Sequence, residues 1–167
     1  SHQGIIALLI GVTTLKALVS AITPNSSDFV YIASAACFSS FEVRYFWVYT
    51  FSMHVMNVFY KLWLWLPIDH PSADNIFNLL EREGRFPQLS FGHFSLIFML
   101  KLPLLIFDAL TGLLIYQIVL HYSGSGRKSF FAMALWLLNP YVTLLAEIDG
   151  TIDIIATFFV VGSVYFF

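Results

Sequence analysis

The chain has 167 residues, of which 59% are hydrophobic, 18% aromatic and 11% charged. A soluble domain carries roughly 25% charged residues, so this composition excludes a water-soluble globular protein and predicts an all-α integral membrane protein. The net charge of -2 provides no basic surface for nucleic acid, and the single Cys37 excludes an internal disulfide.

The first apolar stretch, residues 4–22, is close to the roughly 20 residues that cross a hydrocarbon core as a helix. Pro24 ends it, because proline cannot continue the hydrogen-bond ladder. Lys16 is the one charged residue in this stretch. We expect its long stem to carry the ammonium to the headgroups, since Lys16 lies within two turns of the helix end.

Residues 23–93 are predicted to form an extracytoplasmic loop region with interfacial helices. Asp28 follows the first helix and can cap a short helix there, a common role for Asp after a proline-containing break. The aromatic-rich stretch 41–66 also holds ionisable residues. Trp and Tyr accumulate at membrane interfaces, and polar groups on every second turn suit a helix in the headgroup plane. Composition alone leaves both an interfacial and a spanning placement open.

Three further stretches predict transmembrane helices, which makes about four in total: 94–120, 129–147 and 151–167. The turn 121–129 between the first two of these contains Arg127 and Lys128, so the positive-inside rule places it in the cytoplasm. The predicted protein is therefore multi-pass, in the plasma membrane or the endoplasmic reticulum. If 41–66 does not cross, Asp28 lies on the same outer face as residues 147–153; if it crosses, the two lie on opposite faces.

Lys101 and Asp108 are ionisable residues inside the predicted helix 94–120. Their spacing of seven residues places them on one helix face, two turns apart. Placing an ionisable group inside a membrane costs free energy, so such a group usually indicates a functional role. We favour a structural role for this intramembrane pair, in which it joins neighbouring helices.

Three carboxylates, Glu147, Asp149 and Asp153, cluster at the turn between the last two predicted helices. They could hold a divalent cation through oxygen ligands, which hard cations prefer. More often such a cluster keeps a hairpin tip hydrated and stabilises the start of the next helix. A divalent cation is the candidate cofactor.

Four stretches carry a family resemblance through their order and spacing: Ser26–Tyr31, Ser40–Tyr45, Lys101–Tyr116, and Leu135–Pro140 followed by Gly150 and Asp153. Together they resemble the N-terminal part of the GT-C glycosyltransferases, most of all the branch that adds the first mannose in GPI-anchor assembly and its archaeal relatives. The resemblance implies that 1–167 is a single membrane domain, the N-terminal part of a longer chain. It also favours the interfacial placement of 41–66.

The resemblance further implies transfer of a mannose-like sugar from a polyprenyl-phosphate donor at the extracytoplasmic face. Such a transfer needs a base for the acceptor hydroxyl and polar groups that stabilise the departing phosphate. In that reaction Asp28 is the candidate base with Glu42 second, and Tyr31, Arg44 and His54 are the candidate substrate-binding residues. The alternative role of Arg44 is to anchor its segment to lipid headgroups, which is the more common role of an interfacial arginine. The planar fork of an arginine matches phosphate oxygens.

The chain departs from the family at Ser26-Ser27-Asp28, where the mannosyltransferase has Asp-x-Asp. The loss of one carboxylate favours an alternative function. In that alternative the chain is a non-catalytic membrane subunit, which keeps a GT-C-like helix framework and packs against other membrane subunits. The predicted partners are thus the lipid bilayer and either a lipid-linked sugar donor or other membrane chains.

Overall fold

The computed structural model describes residues 2–22, 33, 36–37, 47–70, 91–144 and 153–167. Every regular element in these ranges is helical, which confirms the expected all-α fold for this part of the chain. The helices are α1 (His2–Ile22), α2 (Trp47–Leu64), α3 (Phe91–Ser123), α4 (Gly126–Leu137), the single turn α5 (Pro140–Val142) and α6 (Asp153–Phe166).

Two of the described helices are long and apolar enough to cross a membrane. Their apolar windows are Gln3–Ser20 in α1 and Phe94–Ser123 in α3. Helix α6 is also apolar, but it is 14 residues long, or about 21 Å. The described ranges therefore support membrane-spanning helices, and they hold two candidates where the sequence predicted about four spans.

Helix α3 is the centre of the described bundle and packs against α1, α2, α4 and α6. Apolar residues surround its whole circumference, which is typical of a helix covered on all sides by others. Leu96, Leu100 and Leu104 are buried in its packed half. Its 33 residues measure about 50 Å, so it is longer than a hydrocarbon core of about 30 Å and must tilt or extend beyond it.

A two-residue turn connects α3 to α4. Gly124 has a φ of 61°, a left-handed conformation that glycine adopts without a side-chain clash. Its N–H donates to the carbonyl of Leu120 at 2.9 Å and closes the end of α3. The Ser125 hydroxyl accepts from the N–H of Lys128 at 3.5 Å and caps the start of α4. The predicted turn 121–129 is thus shorter than expected, because both helices extend into it.

The sequence predicted one continuous helix over 129–147, and the structure interrupts it. Helix α4 ends at Leu137 after 12 residues, about 18 Å, and a new turn begins at Pro140. Pro140 has no N–H to donate, and it disfavours helical geometry at Asn139. Asn139 accordingly has a ψ of 115°, and its side-chain oxygen accepts from the N–H of Tyr141 at 2.9 Å.

Helix α2 is fixed to the start of α3 by a chain of hydrogen bonds. The buried indole of Trp63 donates to the Ser95 hydroxyl at 2.9 Å, and that hydroxyl donates to the carbonyl of Gly92 at 2.9 Å. The ring of His70 stands edge-on to Trp63, with centroids 4.4 Å apart. Residues 65–70 therefore fold back over the end of α2.

The predicted stretch 41–66 lies only partly within the described residues, where its helix runs from Trp47 to Leu64. Asn57 of this helix donates a hydrogen bond to the carbonyl of Ala36. Ala33 and Ala36 are both buried in the core cluster that also contains Met56. Helix α2 is thus in contact with Ala36 as well as with α3.

Candidate functional site

A buried ion pair joins α1 to α3. The Lys16 ammonium lies 2.7 Å from Oδ2 of Asp108, and the two side chains are only 4% and 3% exposed. An isolated charge in an apolar interior is strongly disfavoured. The attraction between these two opposite charges offsets the free-energy cost of removing each of them from water.

The same carboxylate also holds α4. The Trp136 indole donates from Nε1 to Oδ1 of Asp108 at 2.9 Å, so each carboxylate oxygen has a donor. Gly112, one turn beyond Asp108, faces the end of α4, where a Cβ atom would lie 3.0 Å from Cδ2 of Leu137. The absence of a side chain at Gly112 therefore allows the close approach that brings Trp136 to Asp108.

The structure corrects the expectation for Lys16. Its ammonium was expected to reach the headgroups, but it is buried against Asp108. The physical reason is that α3 supplies a carboxylate at contact distance, which offers a charged and hydrogen-bonded partner inside the bundle. An isolated helix has no such partner, and the snorkelling expectation considered α1 alone.

Lys101 and Asp108 each contact α1. Lys101 is buried, and its ammonium donates to the backbone carbonyl of Ser20 at 3.2 Å. The two positions are seven residues apart, about 10 Å along the helix axis. Lys101 and Asp108 therefore contact α1 at two different points along its length. Both contacts join α3 to α1.

This arrangement is suited to holding helices together. Both oxygens of the Asp108 carboxylate already accept hydrogen bonds, one from an ammonium and one from an indole. A general base needs a lone pair within reach of the proton that it removes. Asp108 is therefore a poor candidate for catalysis, and the centre formed by Lys16, Asp108 and Trp136 acts as a clamp between three helices.

Most of the predicted site residues lie outside the described ranges: Asp28, Tyr31, Glu42, Arg44, Glu147 and Asp149. Besides the buried pair Lys101 and Asp108, two predicted site residues are described, and both are exposed: His54 on α2 and Asp153 in the first turn of α6. Within the described ranges no group of three or more His, Cys, Asp or Glu side chains is placed to hold a metal ion. The divalent-cation site, two of whose three carboxylates lie outside those ranges, stays a prediction.

The sequence pointed to Asp108 but not to its partners, Lys16 and Trp136. One signal was present: the predicted helices contain a lone lysine in the first and a carboxylate in the second, and opposite charges in a membrane pair with one another. For Trp136 the signal was weaker, because an indole in a membrane helix is commonly an interfacial anchor.

The thiol of Cys37 is expected to react slowly. Burial raises its pKa from the ordinary 9.0 to about 12, because an apolar environment disfavours the charged thiolate. The thiolate is the nucleophile, so at pH 8 we expect N-ethylmaleimide to modify Cys37 on the order of a hundred- to a thousandfold more slowly than free cysteine. Unfolding in dodecyl sulfate should restore the ordinary rate. An ordinary rate in the folded protein would contradict this prediction.

Comparison of the chain with protein-family models, with curated proteins and with solved structures found no match.

Proposed function

We propose that the chain is a GT-C-like membrane module that transfers a mannose-like sugar from a polyprenyl-phosphate donor at the extracytoplasmic face, with Asp28 as the base. The proposal includes a multi-pass topology with the 121–129 turn in the cytoplasm. One contact supports it most. The stretches Lys101–Tyr116 and Leu135–Pro140 both carry the family resemblance, and Trp136 of the second donates to Asp108 of the first.

In this proposal the described helices are the framework and the loop after α1 carries the chemistry. Lys16 ties α1 to α3 six positions before α1 ends at Ile22, and Asp28 follows Ile22 by another six positions. The ion pair therefore limits the movement of the helix end from which the Asp28 segment departs. A base must be held within hydrogen-bond reach of its proton, and a fixed helix end restricts where the base can lie.

The reaction divides between Asp28 and the cationic residues of the loop region. Asp28 takes the proton of the acceptor hydroxyl while the hydroxyl oxygen bonds to the anomeric carbon of the sugar. The bond from that carbon to the donor phosphate oxygen breaks, and the polyprenyl phosphate leaves with the electron pair. Arg44 would stabilise the charge that develops on the phosphate, since arginine offers charge-assisted and bidentate hydrogen bonds. Asp28 then releases its proton to water.

The test is sugar transfer by the full-length protein in membranes, measured with a radiolabelled polyprenyl-phosphate sugar. We expect Asp28→Asn to lower the rate by about 10²- to 10⁴-fold, the usual contribution of a general base. Asp69→Asn is the matched control, because Asp69 is an exposed carboxylate in the segment after α2 and has no proposed role. Equal rates for wild type and Asp28→Asn would remove Asp28 from the reaction.

The second candidate is a non-catalytic membrane subunit, and one observation favours it. The Asp-x-Asp of the family is reduced to a single carboxylate at Asp28. The buried carboxylate of the described bundle, Asp108, is engaged by Lys16 and Trp136 and does not replace the missing one. The two candidates differ when the full-length chain is purified alone in mild detergent. The enzyme transfers sugar as a single chain, whereas the subunit is inactive and is recovered intact only with a stoichiometric set of other membrane chains.

A further inference from the structure

A cavity lies at the end of the bundle where α3 turns into α4. It has a volume of about 360 Å³ and is lined by Gly4, Ile5, Tyr116, Gly126, Arg127 and Phe130. This volume is at the lower end of the roughly 300–1,000 Å³ of small-molecule sites. Its lining includes none of the three residues of the ion-pair centre, Lys16, Asp108 and Trp136.

We infer that this cavity binds the headgroup phosphate of an anionic phospholipid, with Arg127 as its main charged contact. The inference requires the membrane topology proposed above but not sugar transfer. Nothing acidic occurs in residues 1–27 or 109–146, which include all of α1 and α4. The nearest carboxylate on α3, Asp108, is about 12 Å along the axis from Tyr116 and already holds Lys16 and Trp136.

The polar part of the site consists of side chains. The guanidinium of Arg127 is a planar fork that matches phosphate oxygens, and Lys128 follows it in the chain. The Tyr116 hydroxyl is an additional hydrogen-bond donor at the site. It lies beside Gly126, 3.9 Å from the position that a Cβ atom on Gly126 would take. The start of α4 is not the anchor, because the N–H of Lys128 already donates to the Ser125 hydroxyl.

The apolar part of the site distinguishes a lipid from a free anion. Ile5 and Phe130 line the cavity, and Phe130 keeps 37% of its surface exposed. The next residues along each helix, Ile6 and Phe131, are 55% and 65% exposed. An inorganic phosphate would leave these groups in water, whereas acyl chains would cover them. The proposed cytoplasmic position of the turn also places the cavity at the leaflet surface that is rich in anionic lipids.

The experiment measures binding of a fluorescent short-chain phosphatidylglycerol to the delipidated full-length protein in non-ionic detergent. We expect it to bind at least tenfold more tightly than the phosphatidylcholine analogue. Arg127→Gln should weaken binding about fivefold, the usual effect of one basic residue near an anionic lipid. Lys61→Gln is the matched control: it removes an exposed cation of α2, outside the cavity, and should leave affinity unchanged.

A second variant separates the cavity from surface charge. Gly126→Leu keeps every charge but fills the cavity, so it should weaken phosphatidylglycerol binding at least as much as Arg127→Gln. Four results would overturn the inference: no preference for phosphatidylglycerol over phosphatidylcholine, equal losses in Arg127→Gln and Lys61→Gln, wild-type affinity in Gly126→Leu, or competition by inorganic phosphate at the affinity of the lipid. Gel filtration and circular dichroism verify that each variant is folded, and Arg127→Lys, which keeps the charge, should retain part of the affinity.

Discussion

Replacement of Lys16 by methionine is expected to lower the free energy of unfolding by about 3–5 kcal/mol, the usual effect of removing one partner from a buried ion pair. Methionine fills a similar volume, so the loss comes from the Asp108 carboxylate, which stays buried with Trp136 as its remaining contact among those described. The measurement is reversible unfolding in mixed micelles, followed by circular dichroism.

A double-mutant cycle separates the interaction energy of Lys16 with Asp108 from the other effects of each substitution on stability. Asp108→Asn keeps an oxygen for Trp136 and removes the charge, so Lys16→Met/Asp108→Asn should be destabilised by much less than the sum of the two single variants. Lys61→Met is the control for loss of an exposed lysine and should change stability by no more than about 0.5 kcal/mol. Additive single effects would mean that Lys16 and Asp108 do not stabilise each other.

The second large effect is expected at Gly112. Valine there should lower stability by about 1–3 kcal/mol, because a Cβ at this position lies 3.0 Å from Cδ2 and 3.2 Å from Cγ of Leu137. The added methyl groups push α4 away from α3 and lengthen the contact from Trp136 to Asp108. The measurement is the same unfolding experiment.

Two variants make this prediction specific. Gly11→Val introduces the same side chain into α1 at an exposed position, where among the described residues a Cβ meets nothing within 4 Å beyond its own helix backbone. It should therefore be neutral or slightly stabilising, since valine has the higher helix propensity. Leu137→Ala combined with Gly112→Val should recover part of the loss, because it removes the atoms that clash. If Gly11→Val and Gly112→Val lower stability equally, close packing of α3 on α4 is not the cause of the loss in Gly112→Val.

Helix positions could largely be predicted from the sequence. The apolar stretches predicted helices over 4–22 and 94–120, and the structure has His2–Ile22 and Phe91–Ser123. Long apolar runs determine such helices locally, so no tertiary information is needed. The difference at 129–147 has a local cause too: the apolar run has the length of a membrane span, but Pro140 within it disfavours helical geometry at Asn139.

The contacts between helices could not be predicted in the same way. A helix that is apolar on every side, such as α3, gives no indication of which face meets which neighbour. Lys16 therefore could not be assigned to Asp108 from periodicity, and Gly112 could not be recognised as a close approach. The catalytic assignment to Asp28 and Glu42 depends on the family resemblance and stays a prediction.

The buried ion pair also has a consequence for biosynthesis. Lys16 and Asp108 are 92 residues apart in the chain. At roughly 5–20 residues per second, the ribosome needs about 5–20 s to make the carboxylate after the lysine. During this interval Asp108 does not yet exist, and the long stem of Lys16 allows its ammonium to reach the headgroups of a membrane. We expect α1 to be held shallowly until α3 is made and then to move inward as the pair forms.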